Sequence, residues 1–464
     1  MTGRRALAVL FLLTLPLVTP KIRGADEIEY FAYLRSGVFD RDLEFGNEYQ
    51  QFYDRDPVSL EGFKATFLDL REPATGRHIN FAPMGTAVLW SPFYLLTHAG
   101  VLLAARLGVA VEADGFSRPY VAAACYASAL YGFLGLLLIH DVLRRAGTAE
   151  PAATWTTAAL WLGTPVLYYM SVAPAFSHAC SLFVVASMLW LWLRARTGSL
   201  SPTSHWIAIG AAGGLAGLVR EQDMLFLAVP AADLVWGFLR RALPVSGFLA
   251  RGMALALAAA LVFSPQLLVY RALNGTYGPS KLVARKMTFT SPHFLEVLFD
   301  PGHGLFLWSP LLLLAVVGLV VALRSRPPEG AAERDAAPVR LLVLALLLQV
   351  WINGCVESWT QAGAFGSRRF VASTPVFAWG LAALVSAALR LPIRWGRAAI
   401  ATLLVFCVWW NLSLMVQFGL KLMDRQRLEW PRVAVNHVTE VPRRLGRVAV
   451  LFFTDRERLV RETR

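Results

Sequence analysis

The chain has 464 residues, 56% of them hydrophobic and only 16% charged, with a mean hydropathy of +0.51. Such a composition excludes a soluble globular domain of ordinary usage and indicates a polytopic membrane protein. The formal charge of +13 does not indicate nucleic acid as a partner, because most of the Arg sits in short loops between apolar runs, where it records topology.

Cys125, Cys180 and Cys407 lie inside apolar segments and Cys355 at the end of one, with no CxxC or other ligand spacing. Neither a disulfide framework nor a metal site is indicated, and no cofactor is expected. Five basic residues are Lys and all the others Arg, which with abundant Ala and Leu suggests a GC-rich bacterial genome and therefore a bacterial inner membrane.

The N-terminal stretch MTGRRALAVLFLLTLPLVTPKIRGADE has the basic start and apolar run of a signal peptide but no A-x-A site before Ala25. A first transmembrane helix over about residues 6 to 22 is expected instead, with Arg4 and Arg5 in the cytoplasm. The segment from 23 to about 117 then forms a long first loop on the outer face. Within it, GADEIEYFAYL reads as an amphipathic helix with Asp26, Tyr30 and Tyr33 on one face and Glu27, Phe31 and Leu34 on an adjacent one. Asp26 precedes Glu29 by the three residues of a capping box, so it serves either as a helix cap or as a functional acid beside aromatic rings, as in the wall of a sugar site.

Residues 84 to 107 are long enough to span but carry Pro92, His98 and Gly100. Counting them as a span would put the basic loops at Arg144 and Arg145, Arg194 and Arg196, Arg240 and Arg241, and Arg324 and Arg326 outside. The charge rule therefore favours a hairpin or in-plane helix on the outer face. The remaining spans are expected near 118–142, 151–171, 177–194, 204–219, 223–239, 248–270, 304–324, 338–353, 371–389 and 396–416, about eleven in all with the first. The expected fold is thus an all-α transmembrane bundle over residues 1–416. A C-terminal tail, 417–464, falls on the outer face despite its basic VPRRLGRV stretch.

This parity collects the unusual polar residues on the outer face. His78 and His178 are candidate ligand-binding groups, although a lone His is more often a hydrogen-bonded structural residue. Arg220 ends an apolar helix, where a guanidinium needs water, a carboxylate or a phosphate, so it either snorkels and pairs with Glu221 or Asp223 or binds a ligand phosphate. Arg368 and Arg369 precede a span and offer bidentate forks suited to phosphate, or anchor the chain at the interface. Asp300 to His303 open a helix after a Pro-Gly turn, where capping explains Asp300 as well as catalysis does.

The order of a basic start, one helix, the Asp26-Glu27 pair, an outer loop with an in-plane helix and then Arg-tipped spans resembles the GT-C fold glycosyltransferases. The nearest branch is that of the protein O-mannosyltransferases and the lipid A aminoarabinose transferase, often called family 39-like. The resemblance extends to about residue 390 and includes SHACSLF, LVREQDMLFL, GHGLFLWSPLLLL and FGSRRFVASTPVF. It implies that Asp26 and Glu27 are the catalytic pair, Asp26 being the general base. A second family element, a His/Lys-Pro-Pro-Leu stretch, corresponds at best to NFAPMG (Asn80–Gly85), where only Pro83 is kept. The loop YYMSVAPAFSH lacks the carboxylate with which the oligosaccharyltransferase branch binds a divalent metal, so a metal-dependent mechanism is not expected.

The resemblance implies inverting transfer of a sugar from a polyprenyl-monophosphate donor to an acceptor hydroxyl on a lipid, glycan or protein at the outer face, with membrane lipids as further partners. Tyr30, Tyr33, His78, His178, Arg220, Arg368 and Arg369 are the expected substrate-binding residues. The alternative is a transporter or flippase of lipid-linked sugars without catalysis. A translocation pathway would carry ionisable residues near mid-membrane on several spans, whereas here nearly all lie at one end. A third reading, an assembly subunit whose acidic pair is only a cap, also fits the residues.

Overall fold

The computed structural model describes residues 2–197, 202–290, 292–324, 337–361, 363–390 and 394–461. Arg326 and Gly198, in two of the loops expected in the cytoplasm, lie outside the described residues. Helices of eight residues or more are α1 (Gly3–Thr14), α2 (Ala25–Arg35), α3 (Gly46–Arg55), α4 (Gly85–Arg106), α5 (Arg118–Arg145), α6 (Glu150–Leu162), α7 (His178–Thr197) and α8 (Thr203–Val219). They continue as α9 (Ala228–Leu239), α10 (Val245–Asn274), α11 (Pro310–Arg324), α12 (Ala337–Gly354), α13 (Thr374–Arg390), α14 (Arg394–Gly419), α15 (Trp430–Val438) and α16 (Glu440–Thr454). Among the described residues the extended pairing is limited to an isolated bridge between Arg71 and His78.

The protein is an integral membrane protein, with seven helices among the described residues long and apolar enough to cross a bilayer: α4, α5, His178–Arg196 of α7, Glu221–Leu239, α10, Arg368–Arg390 and Trp395–Gly419. Three shorter apolar helices accompany them. Several of the roughly eleven expected spans therefore appear as shorter helices, and the breaks have a common cause. α1 stops at Thr14 just ahead of Pro16 and Pro20, α6 at Leu162 ahead of Pro165, and a break at Ser309 is followed by Pro310. Proline lacks the N–H that would continue the ladder and clashes with the preceding turn.

The chain divides into two compact units. One comprises Met1–Leu17, Ile139–Tyr168 and Thr288–Arg464, and the other Val18–Leu138 and Tyr169–Met287. In the first, α11 and α13 touch backbone to backbone: a Cβ on Gly318 would lie 1.9 Å from the Gly380 carbonyl oxygen, and one on Gly380 2.0 Å from that of Ala315. In the second, Gly210 and Gly214, four apart on α8, bring that helix against α10, with Leu255 O and Ala259 O only 2.2 and 2.5 Å from their would-be Cβ atoms. Lipid tails are as apolar as Leu, so membrane helices gain by packing closely at small residues rather than by hiding apolar surface.

In the second unit the middle of α4 is tied to the start of α5 and to the first loop. Tyr94 donates its hydroxyl proton to Gly115 O at 2.8 Å, His98 Nδ1 lies 2.7 Å from Tyr120 Oη, and Arg55 reaches Phe116 O at 3.4 Å. In the first unit, the far end of α5 meets the N terminus: Arg4 pairs with Asp141, and Gly3 N–H donates to Glu150 at 2.7 Å.

Candidate functional site

The site is built on the first turn of α2. Gly24 is the N-cap, in extended conformation at φ −96° and ψ 155°, and Glu27 stands at N3. The Glu27 carboxylate accepts the Arg23 N–H at 2.6 Å and the Gly24 N–H at 2.8 Å, satisfying donors that a helix start leaves orphaned. Burial pushes the Glu27 carboxyl up to about 7, although both backbone bonds pull it down. The cap expected of Asp26 is therefore supplied from Glu27 instead. Asp26 sits at N2, half-buried, with its charge near the positive end of the helix.

Glu29, two residues further on, organises the next segment. It is buried, burial drives its carboxyl well above the ordinary range, and it accepts the Phe81 N–H at 2.5 Å. Asn80 completes the attachment, donating to Glu29 O at 3.1 Å and accepting from Ala82 N at 2.9 Å. The Met84 N–H then donates to Gln266 Oε1 at 2.9 Å. Gly85 meets the backbone of α8, since a Cβ there would lie 2.4 Å from the Leu218 carbonyl carbon. The sequence offers Glu29 only as a capping-box partner of Asp26, whereas it holds the Asn80–Phe81 segment; the signal for that role was an acid inside the otherwise apolar IEYFAY.

His78 pairs through Nδ1 with Glu44 and lies edge-on to Tyr49 at 5.9 Å between ring centroids. Burial lowers its pKa, which favours the neutral ring, and its contacts are those of a structural residue of the loop.

Tyr30 is linked through Ser177 to Arg220. It is only 4% exposed, and its hydroxyl accepts from Ser177 Oγ at 2.9 Å. Ser177 Oγ in turn accepts from Arg220 Nη1 at 3.2 Å. Burial raises the Tyr30 pKa to about 12, Arg220 draws it down and Asp26 pushes it up, so both charges act on this phenol. The segment carrying Ser177 also adjoins the start of α2, because a Cβ on Gly24 would lie 3.3 Å from the Phe176 ring. Next to it, His178 is buried against Tyr169, at 4.4 Å between centroids, and stacks on Phe176 at 5.8 Å.

Arg220 has φ −152° and ψ 119°, which ends α8 at Val219 and starts a 3-10 turn at Glu221. Its Nη2 reaches Gln222 Oε1 at 3.5 Å, and its buried Nε has no hydrogen-bond partner among the described residues. Its charge acts on both Glu221 and Asp223, although no ion-pair contact with either is made among the described residues, and buried Asp223 takes the Ser181 hydroxyl. A guanidinium with an unfilled donor on an interrupted membrane helix is suited to an incoming anion.

Tyr33 corrects the picture of an open aromatic wall. Like Tyr30 it is buried, at 7% exposure, edge-on to Phe45 at 5.0 Å, because the loop following α2 folds back over the helix. Its hydroxyl has no hydrogen-bond partner among the described residues.

Arg368 and Arg369 belong to the other unit and open a 3-10 turn, Arg368–Ser373. The Arg369 N–H donates to Gln361 Oε1 at 3.3 Å and its Nη2 to Ser358 Oγ at 3.4 Å. Gln361 and His303 both take positive φ, 57° and 75°. His303 stacks on Trp308 at 4.6 Å and lies 2.6 Å from Ala364 O. The charge of Arg368 also acts on His303, whose pKa burial lowers. Among the described residues no group of three or more His, Cys, Asp or Glu is arranged to hold a metal ion.

No protein-family model and no curated protein matches the chain. Among solved structures, the crystal structure of ArnT from Cupriavidus metallidurans bound to undecaprenyl phosphate is similar to 97% of this chain and 76% of that one, with a TM-score of 0.52 and 17% sequence identity. The likeness shows that this chain has a GT-C-like polytopic helical fold.

Proposed function

We propose that the protein is a glycosyltransferase that moves one sugar from a polyprenyl-monophosphate carrier to an acceptor hydroxyl at the outer face of the membrane, with inversion. The observation that carries this reading is the link through Ser177 from buried Tyr30 to Arg220, whose Nε donor is unfilled, with Asp26 one turn before Tyr30 on α2. The GT-C-like fold, shared with a structure that binds undecaprenyl phosphate, supports the choice of a lipid phosphate as the anion.

In the proposed step the acceptor oxygen attacks the anomeric carbon, the bond from that carbon to the carrier phosphate breaks, and Asp26 takes the acceptor proton. General-base catalysis needs geometry first, and Asp26 is half-buried one turn before Tyr30 on α2, while the carboxylate of Glu27 holds the backbone of the helix start. Arg220 stabilises the charge that develops on the departing phosphate. Glu27 and Glu29 hold the start of α2 and the NFAPMG segment in place. The outer loop, with α4 lying in the plane of the membrane, is supported by the bonds from Tyr94 and His98 to the start of α5.

The test is turnover by the purified protein with labelled polyprenyl-phosphate sugars and a set of acceptor lipids and glycans. Consumption of a donor with release of polyprenyl phosphate is expected. Donor binding without any transfer to water or acceptor would remove the catalytic reading and favour a carrier.

A further inference from the structure

The C-terminal segment has a surface that sugar transfer does not use. α15 folds back along the last turns of α14, where His437 stacks on Trp410 at 4.3 Å, Trp430 stacks on Trp410 at 5.4 Å, and Gln417 Nε2 lies 2.8 Å from His437 Nδ1. Trp395–Gly419 is long and apolar enough to cross a membrane, and α16 follows it in the chain after the short α15. Beyond α16, Arg456 donates to Pro16 O past the end of α1.

The α16 sequence, EVPRRLGRVAVLFFT, sorts into three arcs at about 100° per residue. One arc is turned inward through buried Val441 and Leu451. A second carries Leu445, Ala449, Val450 and Phe453, of which Leu445, Val450 and Phe453 are 41%, 61% and 61% exposed. The third carries Arg443 and Arg447, while Arg444 rises from the inward arc, between Leu451 and Val441, to the surface. The side chains of Arg443 and Arg444 are 75% and 50% exposed and share one acid, Glu440, at 3.6 and 2.8 Å. Along the helix three arginines stand against one acid, Glu440.

An apolar stripe edged by arginines, on a helix that follows a span in the chain, has the chemistry of a bilayer surface: acyl boundary for the stripe and phosphate for the guanidinium groups. We propose that α16 lies in the membrane interface and binds anionic phospholipid headgroups, making the C-terminal segment a lipid-recognising anchor distinct from the Tyr30 cluster.

The test uses the full chain with a nitroxide on Ala449→Cys, within the apolar arc; the four native cysteines are buried. The protein is placed in nanodiscs of phosphatidylcholine alone or mixed with phosphatidylglycerol, and the label is relaxed by oxygen, which enters lipid, or by a nickel chelate, which stays in water. In the mixed discs the label should be reached by oxygen and shielded from nickel. Removing phosphatidylglycerol, or substituting Arg443, Arg444 and Arg447 by Gln, should lower the ratio of inserted to free helix by about fivefold for each guanidinium–phosphate pairing removed. Equal nickel access in both lipids would overturn the proposal. So would shielding from both reagents, as expected if a second copy or another protein covers the stripe.

Discussion

The sharpest perturbation is at the first turn of α2, where two neighbouring acids now have separable roles. Asp26→Asn removes a charge from position N2 but leaves the cap intact, because the cap bonds belong to Glu27. The loss of helix-dipole interaction should cost about 0.5 kcal/mol. If Asp26 takes the acceptor proton, transfer should fall about 100-fold or more, equivalent to about 2.7 kcal/mol of barrier. Glu27→Ala has the opposite profile: two backbone donors lose their partner, at a cost of about 2 kcal/mol in stability. Each variant should be measured for labelled-sugar transfer, donor binding and thermal midpoint in detergent. An Asp26→Asn enzyme with turnover near that of the parent would refute the assignment. A Glu27→Gln protein that folds and binds donor but does not transfer would move the base to Glu27, whose carboxyl sits at about 7.

Arg220→Lys keeps the charge but loses the fork and should weaken donor binding without loss of expression, and Arg220→Gln should weaken it further; equal binding by all three proteins would return Arg220 to a packing role. Single cysteines test the in-plane placement of α4: Ala113→Cys should label from outside and Ala146→Cys from the cytoplasm, and the reverse result at Ala113 would make α4 a span. Burial raises both Glu27 and Glu48 to about 7 in the folded protein. The folded state therefore holds protons the unfolded chain has released, so their stabilisation is complete at low pH and is lost as pH rises through 7. The thermal midpoint should fall between about pH 5 and 7, at up to about 1.4 kcal/mol per pH unit per group, and level off above that, and Glu48→Gln should flatten part of that slope. Gly380→Ala forces a Cβ to within 2.0 Å of Ala315 O and should cost about 1 to 3 kcal/mol in a melting assay. Gly419→Ala, with open space around it, serves as the silent control.

The membrane class and helical architecture were legible in the sequence because they depend on local quantities: apolar run length, Arg in the loops and an acidic pair at the first re-entry. The same local logic overestimated the spans at α1, α6 and α11, where hydropathy averages across the prolines that end a helix. Asp26, Tyr30 and Arg220 were singled out one by one, each from its own neighbourhood. That Tyr30 is buried, that Ser177 joins it to Arg220, and that Glu27 rather than Asp26 caps α2 depend on contacts between positions up to 147 residues apart. No period or spacing records these contacts. Tertiary packing decides which carboxylates are taken up by orphaned backbone donors, as Glu27 and Glu29 are, because buried N–H groups take whatever acceptor the fold brings to them.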